Sequence, residues 1–259
     1  MEFLITTIVA LILPVGVVSE CPRPCACAGD SVDCKSKGLD SIPRYLPLNS
    51  VVLGLSNNDI SVIENNAFNN LPNLTVLSLD NNDISKIEEN AFNNLPKLTV
   101  LFLDNNHISK IQENAFNNLP KLAVLSLNNN DISKIEENDF NNLPSLTGLS
   151  LMSNSISFVS GKAFVNLQQL KKLLFNMDCG DCENIPFWRW LRLDQRTGIS
   201  ITCNDFHGRQ LSSLQQNDFT GCSGEYLCTG FESVIKFIGC TLKISTILSM
   251  KKRLKIPTK

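Results

Sequence analysis

The chain has 259 residues, 43% of them hydrophobic, with 23 Lys and Arg against 25 Asp and Glu and a formal net charge of −2. That even balance offers nothing resembling a nucleic-acid-binding surface. Ten cysteines fit an oxidising compartment.

In chain order, the first element is an apolar run from Phe3 to Val18, closed by Ser19. Val17 and Ser19 meet the small-residue rule for a cleavage site, and the run is short for a membrane span. Residues 1–19 therefore read as a secretory leader, although Glu2 stands where such a leader normally carries Lys or Arg. Residues 20–49 follow as a small segment holding Cys21, Cys25, Cys27 and Cys34.

Residues 50–169 repeat five times with a period of 24. The most regular copy is Leu74-x-x-Leu77-x-Leu79-x-x-Asn82-x-Ile84-x-x-Ile87-x-x-x-Ala91-Phe92-x-x-Leu95-Pro96, and the same frame restarts at Leu98, Leu122 and Leu146. A degenerate first copy begins near Ser50, and a truncated sixth at Leu170. This is the leucine-rich-repeat consensus, one short strand and one irregular return arm per copy. A single copy cannot cover its own apolar face, so the copies must stack. The predicted fold class is an α/β-type repeat solenoid, a horseshoe with a parallel β-sheet on its concave side and disulfide-capped ends.

Within each copy the Leu-x-Leu pair points inward, because strand side chains alternate with period two. The column Asn58, Asn82, Asn106, Asn130, Asn154 falls where the chain leaves each strand, and its amides can satisfy turn backbone groups of adjacent copies. Phe68, Phe92, Phe116, Phe140 and Phe164 should form an aromatic spine under the convex side, and the Asn-Asn-Leu-Pro runs read as turns. Lys86, Lys110 and Lys134, beside nearby Glu residues, read as a solvated ladder. His107 reads as a surface substitution for Asp.

Residues 170–222 hold the partial copy and a second cysteine cluster, Cys179, Cys182, Cys203 and Cys222. Solenoid ends expose an apolar rung, and disulfides compensate for the small core of a cap. Metal and redox readings of Cys179-x-x-Cys182 give way to that role in an exported chain. In the tail, residues 223–259, Phe231 to Met250 is apolar and followed by Lys251-Lys252-Arg253. Its apolar side chains favour insertion by about 4 kcal/mol, whereas Lys236, Lys243 and Glu232 oppose it by about 5 kcal/mol, so residues 231–250 are disfavoured as a span or an anchor. Cys228 and Cys240 can pair with each other or link chains into an oligomer.

The pattern Cys21-x-x-x-Cys25-x-Cys27 to Cys34, followed by Gly38-Leu39-x-x-Ile42-Pro43, resembles the cap that opens many extracellular leucine-rich-repeat proteins. The stretch from Cys182 through Phe187, Trp190 and Leu191 to Cys203 and Cys222 resembles their carboxy-terminal cap. With near-identical copies between them, the layout is similar to the variable lymphocyte receptors and their relatives. That resemblance implies the pairs Cys21–Cys27, Cys25–Cys34, Cys179–Cys203 and Cys182–Cys222; the sequence alone permits three connectivities for each set of four. Two features depart from the family. Cys179-x-x-Cys182 is wider than the usual spacing, and no Thr/Pro-rich stalk follows.

The expected ligand face lies between the inward leucines. One column reads Gly54, Ser78, Phe102, Ser126, Ser150, Leu174; the next reads Ser56, Asp80, Asp104, Asn128, Met152, Asn176; a third reads Val52, Val76, Val100, Val124, Gly148, Lys172. Phe102 stands out as a large ring among small residues, and such rings anchor interfaces. Asp80 and Asp104 form an acidic patch suited to a basic or hydroxyl-rich partner. The binding set is therefore Ser78, Asp80, Phe102, Asp104, Ser126, Asn128, Ser150 and Met152, joined by Phe206, His207 and Arg209 from the carboxy-terminal cap. Asn73-Leu74-Thr75 is the one glycosylation sequon. No nucleophile, base and acid cluster by spacing, so the expected role is recognition of a protein or carbohydrate, microbial or self, without catalysis, cofactor or metal.

Overall fold

The computed structural model describes residues 21–193, 198–219 and 222. The expected leader, residues 231–250, Cys228 and Cys240 lie outside that range. Among the described residues no helix is long and apolar enough to cross a membrane.

The strands run β1 (Ala26–Ala28), β2 (Ser31–Asp33), β3 (Val52–Gly54), β4 (Val62–Ile63), β5 (Val76–Ser78), β6 (Lys86–Ile87) and β7 (Val100–Phe102). They continue with β8 (Val124–Ser126), β9 (Lys134–Ile135), β10 (Gly148–Ile156), β11 (Phe158–Val159), β12 (Lys172–Met177), helix α1 (Ile185–Leu193) and β13 (Ile199–Cys203). One nine-stranded sheet has the order β1-β2-β3-β5-β7-β8-β10-β12-β13. The β1–β2 hairpin is antiparallel and every later pair is parallel. Register is strict: Leu53, Leu77, Leu101, Leu125, Leu149 and Leu173 stand side by side, all buried. The pairs β4–β6 and β9–β11 line the back of the solenoid.

Each rung is held by its buried Asn. The Asn106 Nδ2 donates to Leu103 O in its own rung at 3.0 Å and to Leu79 O in the previous rung at 3.0 Å. Its Oδ1 accepts the Ile84 N–H at 3.0 Å. Asn82, Asn130 and Asn154 repeat the arrangement. Backbone groups that a short strand would leave unpaired are thereby satisfied across rungs. The turn just before each of these amides takes a left-handed residue, Asn57, Asn81, Asn105, Asn129 and then Ser153, with φ between 51° and 57°. Asn tolerates that region better than most side chains.

Behind the sheet the five repeat phenylalanines stack, with ring centroids 5.6 to 6.3 Å apart. The spine does not stop with the repeats. Phe164 meets Phe187 of α1 at 5.9 Å, and Phe187 stacks on Trp190 at 5.6 Å, so the cap continues the same apolar column.

Bridges join Cys21–Cys27, Cys25–Cys34, Cys179–Cys203 and Cys182–Cys222, the pairs the resemblance implies. The wide Cys179-x-x-Cys182 spacing is accommodated by Asp205, whose carboxylate accepts the N–H groups of Cys179 at 2.8 Å and Gly180 at 2.6 Å. Gly198 opens β13 because a Cβ there would lie 1.7 Å from Lys171 O. Where the amide ladder ends, Asn184 of the cap reaches in: fully buried, it accepts the Val159 N–H at 3.0 Å and donates to Ser157 O and Asp178 O.

Candidate ligand-binding face

The concave wall is wider than the repeats alone. Ser31 and Asp33 of β2 align with Val52 and Gly54, and Ser200 and Thr202 of β13 align with Leu174 and Asn176. Each cap therefore lengthens two of the three columns by one rung. The parallel run from β2 to β13 contains eight strands.

The structure brings Ser78, Asp80, Phe102, Asp104, Ser126, Asn128, Ser150 and Met152 together on this wall, but several differ from expectation. Phe102 is half-buried rather than an exposed ring. Ser126 is buried, with 8% of its surface accessible, so it cannot be a free contact. Its hydroxyl donates to Asp104 Oδ1 at 2.6 Å and accepts from Asn128 Nδ2 at 2.8 Å. Asp104 Oδ1 also accepts the Asn128 N–H at 2.7 Å, and Asp80 accepts from Ser56 Oγ at 2.7 Å and Asn81 Nδ2 at 2.9 Å. Asn128 Oδ1 in turn accepts from Ser150 Oγ and the Met152 N–H. The expected acidic patch is thus a braced polar ladder. Its carboxylates are partly spoken for by neighbouring rungs, because every second side chain of a strand meets its counterpart one rung away.

Apolar exposure lies elsewhere on the same wall. Met152 and Val124 are each 38% accessible and Val52 37%. The valine column is legible in the sequence, and it lies outside the expected binding set. Its exposure could have been foreseen from the small or polar residues flanking it.

The cap residues are dispersed in role. Residues 204–210 turn back so that Gln210 bridges Thr202 antiparallel and Arg209 O accepts the Cys203 N–H at 2.8 Å. This return covers the last sheet edge, where unpaired backbone groups would otherwise invite another strand. Phe206 packs against the cap core beside Gly180. Arg209 pairs with Asp218 at 3.2 Å, and the Gln215 N–H together with this guanidinium holds the Asp218 carboxyl below the usual carboxylate range. His207, at φ 53°, is exposed. Packing takes up Phe206 and pairing takes up Arg209, which leaves His207 as the exposed residue of the three.

A family model described as "BspA type Leucine rich repeat region (6 copies)" matches residues 48–189. The chain belongs to the leucine-rich-repeat family. A second model, "Leucine rich repeat N-terminal domain", matches residues 20–47 of this leucine-rich-repeat chain. Over 60 residues it is 43% identical to Leucine-rich repeat-containing protein 3 of Rattus norvegicus, which covers 22% of this chain and 23% of that protein. Over 59 residues it is 44% identical to the human Leucine-rich repeats and immunoglobulin-like domains protein 1, covering 23% of this chain and 5% of that one. Among solved structures it is similar to the TLR13–ssRNA13 complex, with 31% identity and a TM-score of 0.55 over 60% of this chain and 23% of that one. The chain spans about a quarter or less of each of these relatives.

Beyond the wall, the exposed His107 sits between Asp131 at 3.3 Å and Asp83 at 4.0 Å, one on each adjacent rung. Among the described residues no group of His, Cys, Asp and Glu has the arrangement to hold a metal.

Proposed function

We propose that this is an extracellular recognition protein of variable-lymphocyte-receptor-like type. It grips a protein or carbohydrate ligand, including those of microbial cells, through its concave wall and carboxy-terminal cap. The observation that carries this reading is the exposed apolar set Val52, Val124 and Met152, on the same wall as a polar ladder already held in place. A core of apolar contacts rimmed by fixed polar groups is how protein interfaces are composed. Four bridged cysteine pairs support a secreted location, or the cell surface, since such bonds persist where the surroundings oxidise.

Size sets how the wall is used. Eight strands at about 4.8 Å and a width of about 15 Å give on the order of 500 Å², against about 800 Å² per partner in a standard interface. The cap residues 204–219 supply the difference, with His207 at an exposed turn. The wall carries Asp33, Asp80 and Asp104 against Lys172, a balance that argues against a polyanion such as RNA.

A second reading is a matrix, adhesion or guidance protein with a self partner. The copies differ only modestly along the concave columns, which weakens the case for a finely diversified site.

The test is to probe the full exported chain against arrays of extracellular proteins and microbial glycans. V124S/M152S and F102S are then measured on whatever binds. About tenfold weaker binding of each variant, with unchanged thermal stability, is expected. Undiminished binding by these variants, or after deletion of residues 204–221, would refute the assignment.

A further inference from the structure

A groove of about 1010 Å³ runs along one flank of the solenoid, across the stacked Asn-Asn-Leu-Pro turns. Pro72, Pro96 and Pro120 line it at successive rungs, opposite Asn94, Asn118 and Asn142. No charged side chain lines it. Each outer amide donates one N–H to the inner Asn of the rung before: Asn94 to Asn69 at 3.2 Å, Asn118 to Asn93 at 3.1 Å and Asn142 to Asn117 at 3.4 Å. An amide has two donors and an acceptor, so each rung still offers one N–H and one carbonyl to the groove. Backbone demands do not fully account for these amides. Asn94, Asn118 and Asn142 adopt left-handed φ, which favours Asn, but Asn166 does not and still bonds Asn141 at 3.3 Å in the same way.

An exposed proline ring beside a free donor and acceptor, repeated without charge, matches a neutral sugar chain. The apolar ring faces a pyranose face, and the amide faces its hydroxyl and acetamido groups. A proline-rich peptide would want aromatic walls, and none lines this groove. The chain supplies such a sugar in the right place. Asn73 of the sequon directly follows Pro72, at the first rung of the groove. Its Oδ1 accepts from Lys97 Nζ of the next rung at 2.7 Å, so the side chain reaches towards the neighbouring rung beside the groove's lining. Glycosylation uses Nδ2 and leaves that contact intact.

We propose that Asn73 carries an N-linked glycan and that its first rings lie along this groove, one ring per rung. In the transfer, Nδ2 of Asn73 bonds to the sugar C1 as the C1–O bond to a lipid pyrophosphate carrier breaks. The amide gives up one proton and the pyrophosphate leaves. Contacts too weak to hold a free oligosaccharide suffice here, because the tether makes each successive contact intramolecular. The glycan then lies along the flank, staples consecutive turns together and leaves the concave wall open. The proposal rests on the export argued above, since only the secretory route supplies the donor.

The full chain is produced in a secretory eukaryotic host, and Asn73 is examined by peptide mapping. Its melting temperature is compared before and after enzymatic trimming of the glycan, in wild type, in N118G/N142G and in P96S/P120S. Glycine keeps the left-handed backbone while removing the amide. Occupied Asn73, a fall of several degrees on trimming in wild type, and a much smaller fall in both variants are expected. An unmodified Asn73 on chain recovered from the medium overturns the proposal while leaving the recognition reading intact. Equal falls in all three proteins overturn the groove as the glycan's seat. Chain retained in the cytosol overturns both.

Discussion

At the scale of single residues, the amide ladder decides stability more than any surface charge does. Replacing Asn106 with Ala would leave the Ile84 N–H buried without a partner and would strip Leu79 O and Leu103 O of one of the two amide donors each has. A loss of about 2–3 kcal/mol is expected, measured by urea unfolding, whereas Asn105→Gly at the exposed neighbour, which keeps the left-handed turn, should lose far less. Asp139 is the opposite case. It occupies the slot that is Ala91, Ala115 and Ala163 in other copies, is buried there, and accepts the Glu136 N–H at 2.8 Å. Burial pushes its carboxyl up to about 6. The charged form is the disfavoured one in the folded state, so its penalty is present above about pH 6 and fades as pH falls towards 4. Asp139→Ala should therefore stabilise the protein by about 1–2 kcal/mol at pH 7.5, allowing for solvent screening, and by much less at pH 4. Thermal unfolding at the two pH values checks it.

Elements show where the sequence could be read and where it could not. Strand positions, the Asn column and the phenylalanine spine were legible because a 24-residue period repeats each environment, so five copies report on one another. Phe116→Ala would open a void between Phe92 and Phe140, and a loss of about 3–5 kcal/mol is expected in chemical denaturation. The caps occur once each and have no such internal control. Asn184 closing the ladder and Asp205 holding the Cys179 turn depend on contacts between residues distant in sequence, and the 204–210 return is a single local turn with no second copy to compare. The binding columns were legible as a face, but not in detail. Ser126 and Asp104 differ from expectation because cross-rung hydrogen bonds, invisible to a column-by-column reading, turn them towards each other. The Cys182–Cys222 bridge closes a loop of 40 residues and secures this cap. Its removal as C182S/C222S should lower stability by about 4 kcal/mol, read as a lower melting temperature that reductant no longer changes at this pair.

For the whole molecule, the spine and the sheet set the shape together. Strands lie about 4.8 Å apart on the inner wall, while the phenylalanine centroids behind them are 5.6 to 6.3 Å apart. A back that repeats more widely than its front must bend, and the bend is the hollow in which a partner would sit. Because each rung touches only its neighbours, the arc is rigid locally and its length is set by copy number. A variant carrying one further copy of residues 98–121 should fold and lengthen the arc by one rung. Small-angle scattering would detect the longer particle.

That same likeness between copies carries a hazard. A strand of one copy could pair with the wrong neighbour, loop out a whole 24-residue unit, and still bury identical leucines. Only the marks that break the monotony, such as the bridged ends, the buried acid at 139 and the final Asn184, distinguish the correct order from its shifted imitation. Folding should accordingly proceed from the ends, where the chain is unlike itself, towards the uniform middle.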